Sequence, residues 1–165
     1  MILLIECIIF SLLFMAMIMI PLYKNPIGQI MSYPPKIRKR VESLPEYKDT
    51  IGKIEKKHFS VKIISIFVFA LILACVAYLS GAKNFVDSFK HVFCLFFFVN
   101  LYDLFIMDLI IFKNDKRLRI PGTEDMDKEY KSPVHHIKGA VIGTFLGVIV
   151  ALLAAVYIEV FNMIF

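Results

Sequence analysis

The sequence predicts an all-α, polytopic membrane protein with four transmembrane helices and short amphipathic helices in the loops. The 165-residue chain is 59% hydrophobic and has a mean hydropathy of +0.73, whereas soluble domains are nearer half apolar. The apolar residues also cluster in four stretches, each close to the roughly 17–25 residues that a helix needs to cross a bilayer. We assign the spans, within one domain, to residues 1–22, 63–79, 86–112 and 137–165.

Helices are favoured over strands because the apolar runs are continuous rather than alternating. The first run could instead be a secretory signal, which requires a basic beginning and a small-residue cleavage site. No Lys or Arg precedes Lys24, and the stretch MAMIMIPLYK contains no good cleavage site. We therefore expect residues 1–22 to form a true span.

The basic residues predict the orientation of the chain. Residues 24–62 carry ten Lys or Arg and residues 113–138 carry seven, whereas residues 80–90 carry only Lys83 and Lys90. Positively charged loops remain in the cytoplasm. We therefore predict a multi-pass protein of the cell membrane, with cytoplasmic loops at 23–62 and 113–136 and both termini outside the cytoplasm.

The first long loop has amphipathic segments. Ile37, Val41 and Leu44 share one helical face, and Ile51 and Ile54 repeat the pattern. The basic residues beside these faces are Lys36, Arg38, Lys39, Arg40, Lys53, Lys56 and Lys57. We expect these helices to lie among the headgroups of anionic membrane lipids, with docking of a protein partner as the alternative. A nucleic-acid partner is not expected, because no recognition motif is present.

The second long loop should contain two helix starts. Thr123 is placed to cap a short helix whose first turn holds Glu124 and Asp125. Ser132 and Pro133 have the residue types of an N-cap and a first helical position. The fourth span would then begin at the cytoplasmic membrane face. His135 and His136 would fall in its first turn.

The third span holds polar residues at membrane depth. Asn100, Asp103 and Asp108 spread over roughly 140° of an α-helix, which is one broad face. A charge near the bilayer centre, where Asp103 falls, costs at least ~2.5–3.5 kcal/mol. Asp103 should therefore be protonated, bonded to Asn100, or turned toward water or a cation. The first two options would make it a structural tie, and the third would make it functional.

Asp108 could join His135 and Glu124 at the cytoplasmic face. Carboxylate and imidazole ligands suit a divalent transition metal, for which Asp108, His135 and His136 are the candidate ligands, although no H-E-x-x-H spacing is present. A phosphate or phospholipid headgroup at a helix N-terminus is the alternative. The basic residues nearby are Lys113, Lys116, Arg117 and Arg119. At the other face, we expect ion pairing among Glu6, Lys90, His91 and Glu159.

The fourth span carries small residues at every fourth position. They are Gly139, Gly143, Gly147, Ala151 and Ala155. Such a ridge lets another helix approach closely. The neighbouring helix could belong to the same chain, to a second copy in a homo-oligomer, or to another membrane protein.

Three functions remain open. The first is handling of a proton, a cation or a small solute at Asp103 and Asp108. The second is a non-catalytic accessory or regulatory subunit that docks partners through the small-residue ridge. The third is a lipid-active enzyme at the inner interface that uses Asp108, His135 and Glu124. The chain has no P-loop, CxxC or serine-nucleophile motif, so the sequence does not decide whether it is an enzyme.

Overall fold

The chain folds into six α-helices. The computed structural model describes the backbone of residues 1–165 and the side chains of residues 1–54 and 61–165. The helices are α1 (Ile2–Lys24), α2 (Pro35–Glu42), α3 (Lys48–Leu79), α4 (Phe85–Tyr102), α5 (Asp127–Tyr130) and α6 (Val134–Ile164). A π-helix, Asp103–Phe112, continues directly from α4, and 3₁₀-helices cover Pro26–Ser32 and Lys116–Leu118.

The prediction of an all-helical chain is confirmed, as is the prediction of four helices long and apolar enough to span a membrane. Four helices are long and apolar enough to cross a membrane, namely α1, the part of α3 from Val61 onward, α4 with its π-helix, and the helix that ends at Ile164. Their outward surfaces are apolar, as at Ile64, Phe105 and Phe145, whose exposed fractions are 62%, 55% and 69%. Exposed apolar faces of this extent are typical of helices that meet lipid.

The four long helices form a bundle with two distinct ends. At the terminal end (residues 1–6, 80–91 and 159–165), Glu6 contacts His91, and Asn162 donates a hydrogen bond to the carbonyl of Lys83. At the loop end (residues 23–47 and 113–133), the Tyr23 hydroxyl donates to Asp115. Helix α4 packs against both α1 and α6, and α3 packs mainly against α6.

Each end of the bundle has its own apolar core. Near the terminal end, α3 and α6 contribute alanines, among them Ala77 and Ala154, which are fully buried. Small side chains at these positions let the helix backbones approach closely. Near the loop end, the core joins the last turns of α1 to the loop segments through Met19, Tyr33 and Tyr130. The loops are therefore packed parts of the fold.

Helix α2 differs from the prediction of a helix lying among headgroups. Its proline at the first position and its amphipathic pattern do produce a helix. However, Ile37 and Val41 are fully buried in the same core as Leu118 and Ile120. The apolar face of α2 is covered by protein, because the second long loop folds over it.

The segment around Ile51 and Ile54 also differs from the prediction. It is the beginning of the 32-residue α3 and is continuous with the second span. No proline interrupts the chain between Lys48 and Leu79. Because helix formation is cooperative, adding residues to an existing helix is more favourable than starting a new one. The predicted polar-face residues Lys56 and Lys57 lie outside the described side chains.

Both predicted caps in the second long loop are wrong. Thr123 is buried, and its hydroxyl donates to the carbonyl oxygen of Ile120 at 2.6 Å instead of capping α5. Pro133, one residue after Ser132, occupies the N-cap position of α6. The Pro133 carbonyl accepts the first helical hydrogen bond, from the N–H of Ile137, while the Ser132 N–H donates to the carbonyl of Glu129 in the turn after α5.

Candidate functional site

The two aspartates of the third span lie in the π-helix. In an α-helix, residues five apart point about 140° apart. The wider π-helix is bonded from residue i to residue i+5, so residues five apart come closer to the same side. Asp103 opens the segment Asp103–Phe112, and Asp108 follows five residues later. A regular α-helix, which the sequence predicts at this place, would direct the two carboxyl groups farther apart than the π-helix does.

Asp108 pairs with His136, the third residue of α6. Its Oδ2 lies 3.0 Å from Nδ1 of the imidazole, and the His136 side chain is only 5% exposed. The ring of Phe112 contacts the imidazole edge-on, with 5.1 Å between ring centroids. This contact joins the end of the third span to the beginning of the fourth.

The second ring nitrogen of His136 has no hydrogen-bond partner. Its Nε2 is buried and unpaired among the side chains and backbone that the structure describes. An unpaired buried polar atom typically costs about 1–3 kcal/mol. When Nδ1 donates to the carboxylate, Nε2 carries the lone pair that accepts a proton or binds a cation.

Asp103 completes what we call the acid–imidazole cluster: Asp103, Asp108 and His136. Its partly buried carboxyl group interacts electrostatically with both Asp108 and His136. Among the described residues, no hydrogen bond to Asp103 is formed. The cluster therefore holds two carboxyl groups and one imidazole at the contact between the third and fourth spans.

Asn100 does not bond Asp103, which was one of the structural options raised by the sequence. Its Nδ2 instead donates to the carbonyl oxygen of Ala140 at 2.9 Å and to Oγ1 of Thr144 at 3.1 Å. Both acceptors lie on α6. Asn100 is therefore a tie between two helices, and no amide among the described side chains bonds the Asp103 carboxyl group.

The small-residue ridge lies partly against α4. A β-carbon added at Gly143 would come within 2.4 Å of Oδ1 of Asn100, and one added at Gly147 would come within 2.7 Å of Cδ1 of Phe96. Ala151 and Ala155 are fully buried. Gly139 has no neighbour within 4 Å of an added β-carbon.

His135 and Glu124 do not join Asp108. The Nε2 atom of His135 lies 3.1 Å from the carbonyl oxygen of Ser32. Both carboxylate oxygens of Glu124 accept the backbone N–H of Gly122 at 3.0 Å, and this bond lowers the pKa of Glu124. Among the described side chains, no three His, Cys, Asp or Glu residues are grouped as a metal site would require.

A second carboxylate–imidazole contact lies at the terminal end. Oε2 of Glu6 is 2.6 Å from Nε2 of His91, and the Ser80 hydroxyl donates to the other carboxylate oxygen of Glu6. The sequence grouped Glu6 and His91 correctly but missed Ser80. Lys90 is exposed, and neither it nor Glu159 forms an ion pair among the described residues.

The spacing of the sequence indicates which of the two adjacent histidines, His135 or His136, faces α4. His136 precedes Gly143 by seven residues, so the two share one face of an α-helix, whereas His135 points about 100° away. The face that packs against α4 therefore carries His136. The π-helix had no comparable signal.

A comparison of the chain with protein-family models, with curated proteins and with solved structures gives no match.

Proposed function

We propose that this chain is a multi-pass protein of the cell membrane in which the acid–imidazole cluster binds and releases a proton. In this proposal, the proton is exchanged as part of the handling of protons, cations or a small solute. His136 and Asp108 share the proton, and Asp103 is the deeper carboxyl group that receives or supplies it.

One observation carries the proposal. His136 is almost fully buried, its Nδ1 lies 3.0 Å from Oδ2 of Asp108, and its Nε2 has no hydrogen-bond partner among the described residues. An imidazole changes its charge between pH 5 and pH 8 when unperturbed. Ionisable groups buried within membrane spans commonly mark ion pathways and proton relays.

A proton fits this cluster better than a metal ion. Zinc sites use three or four protein ligands, and among the described side chains no such group exists. The enzymatic alternative required Asp108, His135 and Glu124 in one site. His135 and Glu124 are instead bonded to the backbone of Ser32 and Gly122.

The accessory-subunit alternative has less support at the ridge. A partner helix would need the small-residue ridge to be free, but Asn100 and Phe96 occupy it at Gly143 and Gly147. The open surface at Gly139 is the part that remains for a second chain. We therefore keep proton binding as the proposed function.

The proposed orientation follows from charge. The loop end carries most of the Lys and Arg residues, which favours a cytoplasmic position. The acid–imidazole cluster would then lie near the cytoplasmic side. Glu6 and His91 would lie near the outer side, as would both termini.

The experiment is infrared difference spectroscopy of the full-length protein in liposomes, recorded between pH 5 and pH 9. We expect a carboxylic acid C=O band that appears as the pH falls and is reduced in both Asp103→Asn and Asp108→Asn. His136→Gln should shift the midpoint of this band. His135→Gln is the matched control, because the neighbouring imidazole lies outside the cluster, and its midpoint should remain that of the wild type.

A proton-flux assay with a pH-sensitive dye inside the same liposomes tests the wider role. Wild-type protein should dissipate an imposed pH gradient, and Asp103→Asn should abolish this flux. The proposal is wrong if no carboxyl group of the span changes protonation over this pH range. It is also wrong if His135→Gln and His136→Gln have the same effect.

A further inference from the structure

A basic groove lies at the loop end, beside the N-terminus of α6 and outside the acid–imidazole cluster. It has a volume of about 360 Å³ and includes Lys36, Lys128 and Lys138 among its lining residues. Its other polar lining residues are Glu129, Ser132 and His135, and Val134 also lines it. The groove is formed where the beginning of α2, the helix α5 and the beginning of α6 meet.

The charge in the groove is not balanced by the protein. Glu129 lies 3.5 Å from Nζ of Lys36. Lys128 and Lys138 form no ion pair with any side chain that the structure describes. Their two ammonium groups therefore give the groove a net positive charge, which favours an anionic ligand.

The backbone adds hydrogen-bond donors at the same place. The first residues of a helix have N–H groups without an acceptor in the helix, and the helix dipole makes this end positive. In α6 these residues include Val134, which lines the groove. The hydroxyl of Ser132 is a further donor. Ammonium groups, free N–H groups and a hydroxyl are the donors that bind phosphate.

The groove also opens where the apolar surface of the fourth span begins. Val134, Ile137 and Val141 have exposed fractions of 56%, 47% and 53%. Lys138 follows Val134 by four residues and therefore lies one turn further along the same face of α6. A phosphate held by Lys138 would have an apolar helix surface directly beside it, as the headgroup of a phospholipid does.

We propose that this groove binds the phosphate of an anionic phospholipid headgroup. Lys128 and Lys138 supply the charge, and Ser132 with the first turn of α6 supplies hydrogen bonds. The acyl chains of the lipid lie along the exposed apolar surface of α6. The substitutions that test this site change no residue of the acid–imidazole cluster, so the test does not depend on proton binding.

The experiment measures binding of dioctanoyl phosphatidic acid to the full-length protein in a neutral detergent by isothermal titration calorimetry. The test variant is Lys128→Gln combined with Lys138→Gln. The matched control is Lys113→Gln combined with Lys116→Gln, which removes the same charge from the loop end outside the groove. We expect the test variant to bind roughly 30-fold more weakly, which is the loss typical of neutralising two basic residues near anionic lipid, and the control to change less than 3-fold.

Two further titrations identify the source of the phosphate. Dioctanoyl phosphatidylcholine, which has no net charge, should bind much more weakly than phosphatidic acid. Inorganic phosphate should not displace phosphatidic acid, and displacement at similar concentrations would overturn the assignment to a lipid. Equal losses in the test and control variants would also overturn the proposal, because they would indicate diffuse attraction to the whole basic end. Co-elution of each variant with wild-type protein in size-exclusion chromatography verifies that it is folded.

Discussion

The close contact between Gly143 and Asn100 predicts a sharp difference between two glycines of α6. A β-carbon at Gly143 would lie 2.4 Å from Oδ1 of Asn100 and 3.1 Å from its Cγ. Asn100 cannot simply turn away, because its Nδ2 is held by Ala140 and Thr144. The change Gly143→Ala should therefore force α4 and α6 apart and break these two hydrogen bonds.

The size of the effect follows from three terms. Overpacking a close contact costs about 1–3 kcal/mol, and each interhelical hydrogen bond lost in a membrane protein costs about 0.6 kcal/mol. Replacing glycine by alanine inside a helix stabilises the helix by about 1 kcal/mol. We expect Gly143→Ala to lower the free energy of unfolding by about 1–3 kcal/mol. Gly139→Ala meets no atom within 4 Å and should raise it by up to about 1 kcal/mol.

The assay is equilibrium unfolding of the full-length protein in mixed micelles, titrated with sodium dodecyl sulfate and followed by circular dichroism. A double-mutant cycle identifies the cause. In an Asn100→Ala background the added methyl group has space, so the penalty of Gly143→Ala should largely disappear. The reasoning is refuted if Gly143→Ala and Gly139→Ala have the same stability, or if the penalty persists without the Asn100 side chain.

Two other predictions concern the loop end and use the same unfolding assay. The buried hydroxyl of Tyr33 donates to the carbonyl of Leu118 at 2.9 Å, so Tyr33→Phe should cost about 1–2 kcal/mol, and an unchanged stability would contradict this role. Hydrogen bonds from the side chain of Arg117 and from the Tyr23 hydroxyl hold the pKa of Asp115 well below its usual 3.8. Because the folded pKa is the lower one, this stability is present above about pH 4 and is lost as the pH falls below it. Asp115→Asn should therefore remove part of the acid sensitivity of the wild type between pH 5 and pH 3, and identical pH profiles would contradict the argument.

The fold class was readable from the sequence because lipid imposes a simple requirement. A helix that crosses a bilayer needs a long uninterrupted apolar run, and its backbone bonds stay within the run. Two of the long apolar helices end at Leu79 and Phe112, where the apolar runs of the sequence end. Where no such requirement applies, as before Ile63, the predicted boundary differed from the helix by 15 residues.

The loop end was predicted less well because its structure depends on distant contacts. The apolar face of α2 was recognisable, but Ile37 and Val41 are buried by residues about eighty positions later. The same is true of Tyr33, whose partner is Leu118. An amphipathic pattern shows that one face will be covered, but it does not distinguish lipid from protein as the cover.

For the candidate site, too, some features could be predicted from the sequence and others could not. The sequence by itself determined that Asp103 and Asp108 lie in an apolar span, and that a small-residue face of the fourth span would be close to another helix. Only the tertiary structure decided that the span widens into a π-helix at Asp103, and that His136 lies within 3.0 Å of Asp108. The physical reason is that composition and spacing show which polar side chains lie in an apolar segment and require a polar partner. The packing of α4 against α6 determines which side chain is close enough to be that partner.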